Sequence, residues 1–203
     1  MAQIKKQKIP WNHNYAYKHW ISEKVGNRNS ILDVGCGDGT LALYLRTTDN
    51  DILGIDVSDL CIQKANEKNP YSNVSFVRTA FEDFQASSER FDVIIFVASI
   101  HHMDMGNAID KAKKLLAKKG VLIIVGLAKP TSLFDWIVEL ARVLPSKMVS
   151  AIKKNTTSEE LNIDVSYDLP TMDEVRQIGR ERLCGYSLRY GLHYRYLLTW
   201  ENN

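Results

Sequence analysis

The chain has 203 residues, 45% of them hydrophobic, enough for one domain with a core of its own. Its 26 basic and 24 acidic residues leave a formal net charge of +2, too balanced to mark a nucleic-acid or membrane surface. Cys36, Cys61 and Cys184 are widely spaced, which excludes a disulfide framework or a thiolate zinc site, leaves no metal site expected, and fits a reducing cytoplasm.

At the start of the chain, Lys5, Lys6 and Lys8 are followed by Trp11, Asn12, His13 and Asn14 instead of an apolar stretch, so no signal peptide is expected. Trp11, His13, Tyr15, Tyr17 and Trp20 crowd this segment, either to fold over a ligand or to pack on a sheet edge. Apolar runs rich in Val, Ile and Phe then predict strands at 30–34, 51–55, 74–77, 91–97 and 120–126. Helical spacing falls between them at 41–45, 61–67 and 108–116, the last with Ala108, Ile109, Ala112, Leu115 and Leu116 on one side. Lys111, Lys113, Lys114, Lys118 and Lys119 read as a solvated face. None of the apolar runs approaches the roughly 20 residues that span a bilayer, so no membrane insertion is expected.

Alternating strands and helices predict an α/β domain, doubly wound, with a parallel sheet between helices and ligands at the strands' carboxyl ends. After Gly126 the rhythm changes. An amphipathic stretch with Trp136, Ile137, Leu140, Val143 and Leu144, extended by Met148 and Ile152, reads as an inserted cover or as ordinary core. Thr171-Met172-Asp173-Glu174 is a capping box that starts another helix, and 186–200 predicts a closing antiparallel strand pair. The expected division is one domain over 1–203: an aromatic segment at 1–29, a cofactor-binding core at 30–127, a cover at 128–170, and a helix with a strand pair at 171–203.

The chemistry is concentrated after the first strand. Gly35, Gly37 and Gly39 lie between strand and helix, where a missing Cβ lets backbone approach a ligand. Counting from Gly35, the sixth position is Thr40, so the dinucleotide pattern G-x-G-x-x-G is not met and NAD is disfavoured. Asp33, at the strand end, suits a cationic group such as an amino-acid ammonium. Asp56, at the end of the second strand, suits the two hydroxyls of a ribose.

Through Ile31-Leu32-Asp33-Val34-Gly35-Cys36-Gly37-Asp38-Gly39 and Leu53-Gly54-Ile55-Asp56-Val57-Ser58 the chain resembles the class I S-adenosylmethionine-dependent methyltransferases. Phe91-Asp92-Val93-Ile94 leading to Ile100-His101-His102-Met103, and Leu115-Leu116 with Lys119-Gly120-Val121-Leu122, extend the resemblance over most of residues 30–126. Val125-Gly126-Leu127-Ala128 and the ending Arg195-Tyr196-Leu197-Leu198-Thr199-Trp200 are similar to a bacterial small-molecule subset.

The resemblance implies a Rossmann-like, mostly parallel seven-stranded sheet with an antiparallel C-terminal strand. It implies S-adenosylmethionine as cofactor and S-adenosylhomocysteine as product. The cofactor-binding residues would be Asp33, Gly35, Cys36, Gly37 and Gly39 for the methionine part, Asp56 for the ribose, and Ala80 and Phe81 beside adenine, with Val57 and Val97 also in the set. Ala80 departs from the Asp that many relatives carry there to accept from the adenine amino group. Adenine would then rely on Phe81 and nearby backbone, or on Glu82 or Asp83.

His101 and His102 follow the fourth strand and are the candidate catalytic bases, with a cofactor wall or helix start as the plainer role. Asn69-Pro70-Tyr71 shares part of the Asn-Pro-Pro-Tyr signature of amino-directed nucleic-acid methyltransferases, but precedes the third strand and reads as a turn. The function expected is methyl transfer to O, N or C of a small molecule, in the cytoplasm. The alternatives are RNA methylation through Arg176, Arg180, Arg182, Arg189 and Arg195, or a binding module without catalysis. A homodimer is left open.

Overall fold

Strands with no polar alternation must be covered on both faces. The computed structural model, which describes residues 15–86, 90–129, 169–192 and 194–203, uses the apolar runs in that way. Strands β1 (Ser30–Val34), β2 (Asp51–Asp56), β3 (Val74–Arg78), β4 (Phe91–Val97) and β5 (Leu116–Leu127) run parallel. A hairpin of β6 (Ser187–Tyr190) and β7 (Arg195–Glu201) closes the sheet, with β7 antiparallel to β5. The described residues thus form one seven-stranded sheet in the order β3-β2-β1-β4-β5-β7-β6.

Helices α1 (Lys18–Val25), α2 (Thr40–Leu45) and α3 (Asp59–Lys68) cover one face. Their Ile21, Leu41 and Ala65 pack with Val93, Ile95, Ile123 and Val125 of the central strands. Helices α4 (Met105–Leu115) and α5 (Met172–Arg182) cover the other, setting Ile109, Ala112 and Val175 against Ile94, Phe96, Leu122 and Ile124. An Arg182–Asp110 ion pair and a bond from Lys113 Nζ to the Arg182 carbonyl (2.6 Å) tie these two helices together.

The helices start earlier than their apolar spacing indicates, because caps set their ends. Ser58 accepts from Cys61 N at 3.3 Å and starts α3, while Asp104 accepts from Asn107 N at 2.7 Å and starts α4. At Thr171 the capping box forms as expected, with Thr171 Oγ1 accepting from Glu174 N (3.1 Å) and Glu174 Oε2 from Thr171 N (2.6 Å). Strand β5 begins at Leu116, four residues before the expected Gly120, because Leu116 already pairs with Phe91. Asn69 closes the turn before β3, accepting from Tyr71 N and donating to the Val74 carbonyl.

Most of the proposed cover, with Trp136 to Ile152, and the residues Trp11 and His13 lie outside the described residues. No helix among the described residues is long and apolar enough to cross a membrane. Winding reverses between β1 and β4: β1 leads outward to β2 and β3, and β4 leads the other way to β5. A crevice opens at the carboxyl ends of the strands at such a reversal.

Candidate active site

The loop after β1 is bound back onto the tip of β2. Gly35 N and Cys36 N both donate to the Ile55 carbonyl, at 2.8 and 3.0 Å, and Gly39 N donates to the Cys36 carbonyl at 3.1 Å. Gly35, Gly37 and Gly39 all have φ between 54 and 73°, the left-handed region that L side chains avoid. Beyond that shared constraint they differ. A Cβ on Gly35 would lie 2.4 Å from Ser99 Cβ, and one on Gly39 would lie 2.5 Å from Phe76 Cζ. A Cβ on Gly37 meets no atom within 4 Å. Two glycines therefore serve packing, and the middle one faces open space, the room a ligand needs.

Asp56 does more than the sequence indicated. Its Oδ2 accepts from Gly37 N and its Oδ1 from Ser58 N, both at 2.9 Å, so one carboxylate orders the loop and the entry to α3. Each oxygen keeps a lone-pair direction for a further donor. Asp33 is the opposite case: it is 2% exposed and its Oδ2 has no hydrogen-bond partner. Burial, with the Asp56 charge adding to it, raises Asp33 from 3.8 to about 7. A buried carboxylate without a partner is costly and calls for a cation.

Cys36 turns its thiol inward, where a Cβ on Gly54 would meet Sγ at 2.9 Å, and burial raises its pKa further. The thiol also donates to the Gly37 carbonyl of the loop at 3.7 Å. Phe81 is likewise 3% exposed, its ring packed edge-on to Phe96 at 5.3 Å and turned into the core. Val57 stands 64% exposed beside Asp56, Ala80 is half-buried, and Val97 is half-buried at the end of β4.

The β4 tip supplies a residue that sequence reasoning missed. Ala98 takes a left-handed φ of 53°, held by Ala98 N donating to the Val125 carbonyl (2.8 Å), and this turns Ser99 back toward β1. Ser99 Oγ donates to the Val34 carbonyl at 2.6 Å and fills the space beside Gly35. The partners are 65 positions apart, so no local pattern could have joined them.

His101 and His102 follow in a single turn, their ring centroids 4.2 Å apart. His101 Nδ1 is buried without a hydrogen-bond partner. Burial first, then the charges of His102 and Arg195, lowers His101 from 6.5 to about 4. His101 is therefore neutral at pH 7, while His102 is exposed.

The described part of the aromatic segment packs on the β6–β7 hairpin. Tyr17 Oη donates to the Leu192 carbonyl (3.1 Å), and Arg189 lies 5.2 Å over the Trp20 ring. Three of the five arginines considered for RNA fall on different sides of the sheet: Arg182 pairs with Asp110 and Arg176 with Asp173 on the α5 side, whereas Arg189 meets α1 on the other. Lys111 and Lys113 also have structural tasks, donating to the carbonyls of Glu82 and Arg182.

A family described as "Methyltransferase domain" matches residues 31–120. Over 195 residues the chain is 26% identical to the uncharacterized methyltransferase Rv0089 of Mycobacterium tuberculosis, covering 95% of this chain and 97% of that one. The PH0226 protein of Pyrococcus horikoshii OT3 has the same fold with a TM-score of 0.66 and 21% identity, over 92% of this chain and 88% of that one. So has the magnesium protoporphyrin IX methyltransferase of Synechocystis PCC 6803 with bound SAH, with a TM-score of 0.61 and 15% identity over 94 and 81%.

Proposed function

We propose that this chain is a class I S-adenosylmethionine-dependent methyltransferase, which moves the methyl group of S-adenosylmethionine to an O, N or C atom of a small-molecule acceptor. The observation that carries the reading is the pairing of Asp33, a buried carboxylate without a partner, with open space beside Gly37. Asp33 would take the ammonium of the cofactor's methionine part. Gly35, Cys36, Gly37 and Gly39 would line it with backbone, and Asp56 would accept from the ribose hydroxyls. Val57, Ala80 and the Phe81 backbone would flank adenine, and Val97 would close the floor at β4.

When bound, the sulfonium supplies an activated methyl, so the protein's main task is to align the acceptor and exclude water. His101, neutral and turned partly inward, serves as a wall of the site, with a pKa too low for an efficient base at neutral pH. His102, exposed beside it, is the better placed of the two to take a proton from an acceptor that must lose one. We also read the chain as a single domain, since the described elements from α1 to β7 share one sheet.

Isothermal titration of the purified protein with S-adenosylhomocysteine tests the reading. Binding at micromolar concentration is expected, followed by transfer of labelled methyl to a member of a panel of phenols, amines and carboxylates. No binding at millimolar concentration would sink it. Binding without transfer to any acceptor class would favour the module without catalysis, and salt-sensitive retention of RNA would favour RNA methylation.

A further inference from the structure

Resting on the cofactor reading above, we propose that this protein holds adenine by apolar contact and leaves its 6-amino group unread, so that the cofactor site accepts a purine with oxygen at that position. The geometry begins with strand order. An ammonium on Asp33 lies at the tip of β1 and a ribose on Asp56 at the tip of β2, so the next strand outward, where the base extends, is the sheet edge β3. Thr79 N donates to the Asp56 carbonyl at 3.0 Å, which brings the turn after β3 beside the ribose position.

That turn offers a poor acceptor for an amino group. Ala80 has a methyl where a carboxylate would be needed. Its carbonyl already accepts from Thr79 Oγ1 (3.2 Å), Asp83 N (3.2 Å) and Phe84 N (3.0 Å), more donors than its two lone pairs serve well. The Glu82 carbonyl is taken by Lys111 Nζ at 2.8 Å, and the Val57 carbonyl by Arg78 Nε at 3.3 Å. Phe81 and Phe84 both pack into the core, on Phe96 and Phe91, which leaves Glu82 and Asp83 on the solvent side of the turn.

What the neighbourhood does offer is carbon. Val57, Leu60 and Val77 are 64, 43 and 46% exposed, the three most exposed large apolar side chains among the described residues. They lie around the tips of β2 and β3 and the first turn of α3. A flat ring laid across Val57 would withdraw apolar surface from water on both sides of the contact. Affinity for the base would then come from area and shape, which hypoxanthine provides as well as adenine.

The test compares S-adenosylhomocysteine with S-inosylhomocysteine by isothermal titration on the intact protein. Affinities within fivefold of each other are expected, because a hydrogen bond from the amino group to a carboxylate would separate them by about tenfold to a hundredfold. If S-adenosylhomocysteine binds and the inosine compound is weaker by more than fivefold, some group reads the polar edge of the base, at the amino nitrogen or at N1, which accepts in adenine and donates in hypoxanthine, and the proposal is overturned while the cofactor reading stands. If neither binds, both fall.

Two variants sharpen the result. Ala80→Asp installs the missing acceptor, and should leave S-adenosylhomocysteine binding at least as tight while weakening the inosine compound tenfold or more; an unchanged ratio in a folded variant would overturn the placement of the base. Val57→Ala, at an exposed position, should weaken both ligands equally by about threefold to tenfold. An unchanged affinity for both would count against apolar contact as the source of binding.

Discussion

β1 and β4 are neighbours in the sheet, and at their tips burial acts on a titratable group with opposite outcome. At β1 it raises Asp33 to about 7, and at β4 it lowers His101 to about 4. A buried imidazole meets the low dielectric by staying neutral, here with its Nδ1 left without a hydrogen-bond partner. A buried carboxylate that must be charged to bind a cation resists ionising until the cation arrives. His101 thus keeps one charge state near neutral pH, whereas Asp33 titrates there.

The strongest way to break this contrast is Asp33→Ala. It should weaken S-adenosylhomocysteine at least about a hundredfold by titration calorimetry, since losing one member of a buried charge pair costs about 3–5 kcal/mol. The thermal midpoint of the ligand-free protein should not fall with it, because no hydrogen bond to Oδ2 is lost. A normal affinity in the variant would remove Asp33 from the site.

Next in size is the division among the glycines. Gly39→Ala adds a clash with Phe76 to a left-handed φ, and should destabilise the fold by about 2–5 kcal/mol in denaturant titration. Gly37→Ala adds no clash and should cost about 1–2 kcal/mol from φ alone, while its Cβ enters the open space and reduces cofactor binding. Equal destabilisation by both would show that the middle glycine also serves packing.

The pH dependence of stability separates the two tips further. Between 3.8 and about 7 the folded protein keeps a proton on Asp33 that the unfolded chain has released, so this residue makes stability fall as pH rises through that range. Between about 4 and 6.5 the unfolded chain holds a proton that folded His101 has lost, so His101 makes stability rise with pH. The two slopes oppose one another in the unaltered protein. Asp33→Asn should therefore steepen the rise between pH 4 and 6.5, and His101→Asn should steepen the fall, as followed by thermal midpoints across pH. A pair of variants with unchanged slopes would mean that neither burial shift is present.

The smallest effect expected is on turnover. As a wall residue His101 should tolerate Asn with less than about a tenfold loss of kcat, against the 10²- to 10⁴-fold that removal of a general base costs. His102→Ala is the companion measurement, and a loss of that larger size there alone would mark the exposed ring as the base.

Much of the parallel half was readable in advance. The strands at 30–34 and 91–97 begin and end where the apolar runs do, and the Thr171 capping box starts α5 at Met172, because these features are set within a few residues. The positions of Asp33 and Asp56 at the ends of β1 and β2 were legible for a related reason: a strand end delivers its side chain to one edge of the sheet. Cys36, Phe81 and Ser99 were not. Which way Cys36 and Phe81 point, and what Ser99 reaches, depends on Gly54, Phe96 and Val34, which belong to other strands.

By itself, then, the amino-acid order determined the alternation of strand and helix, their caps, and the loop where tiny residues follow a carboxylate, since each follows from backbone preference and local spacing. Only the folded sheet decided which glycine faces empty space, which carboxylate is spent on backbone amides and which is left buried without a partner. Those outcomes depend on the direction of side chains from distant strands, and direction is settled by packing, for which no short stretch of sequence holds the information.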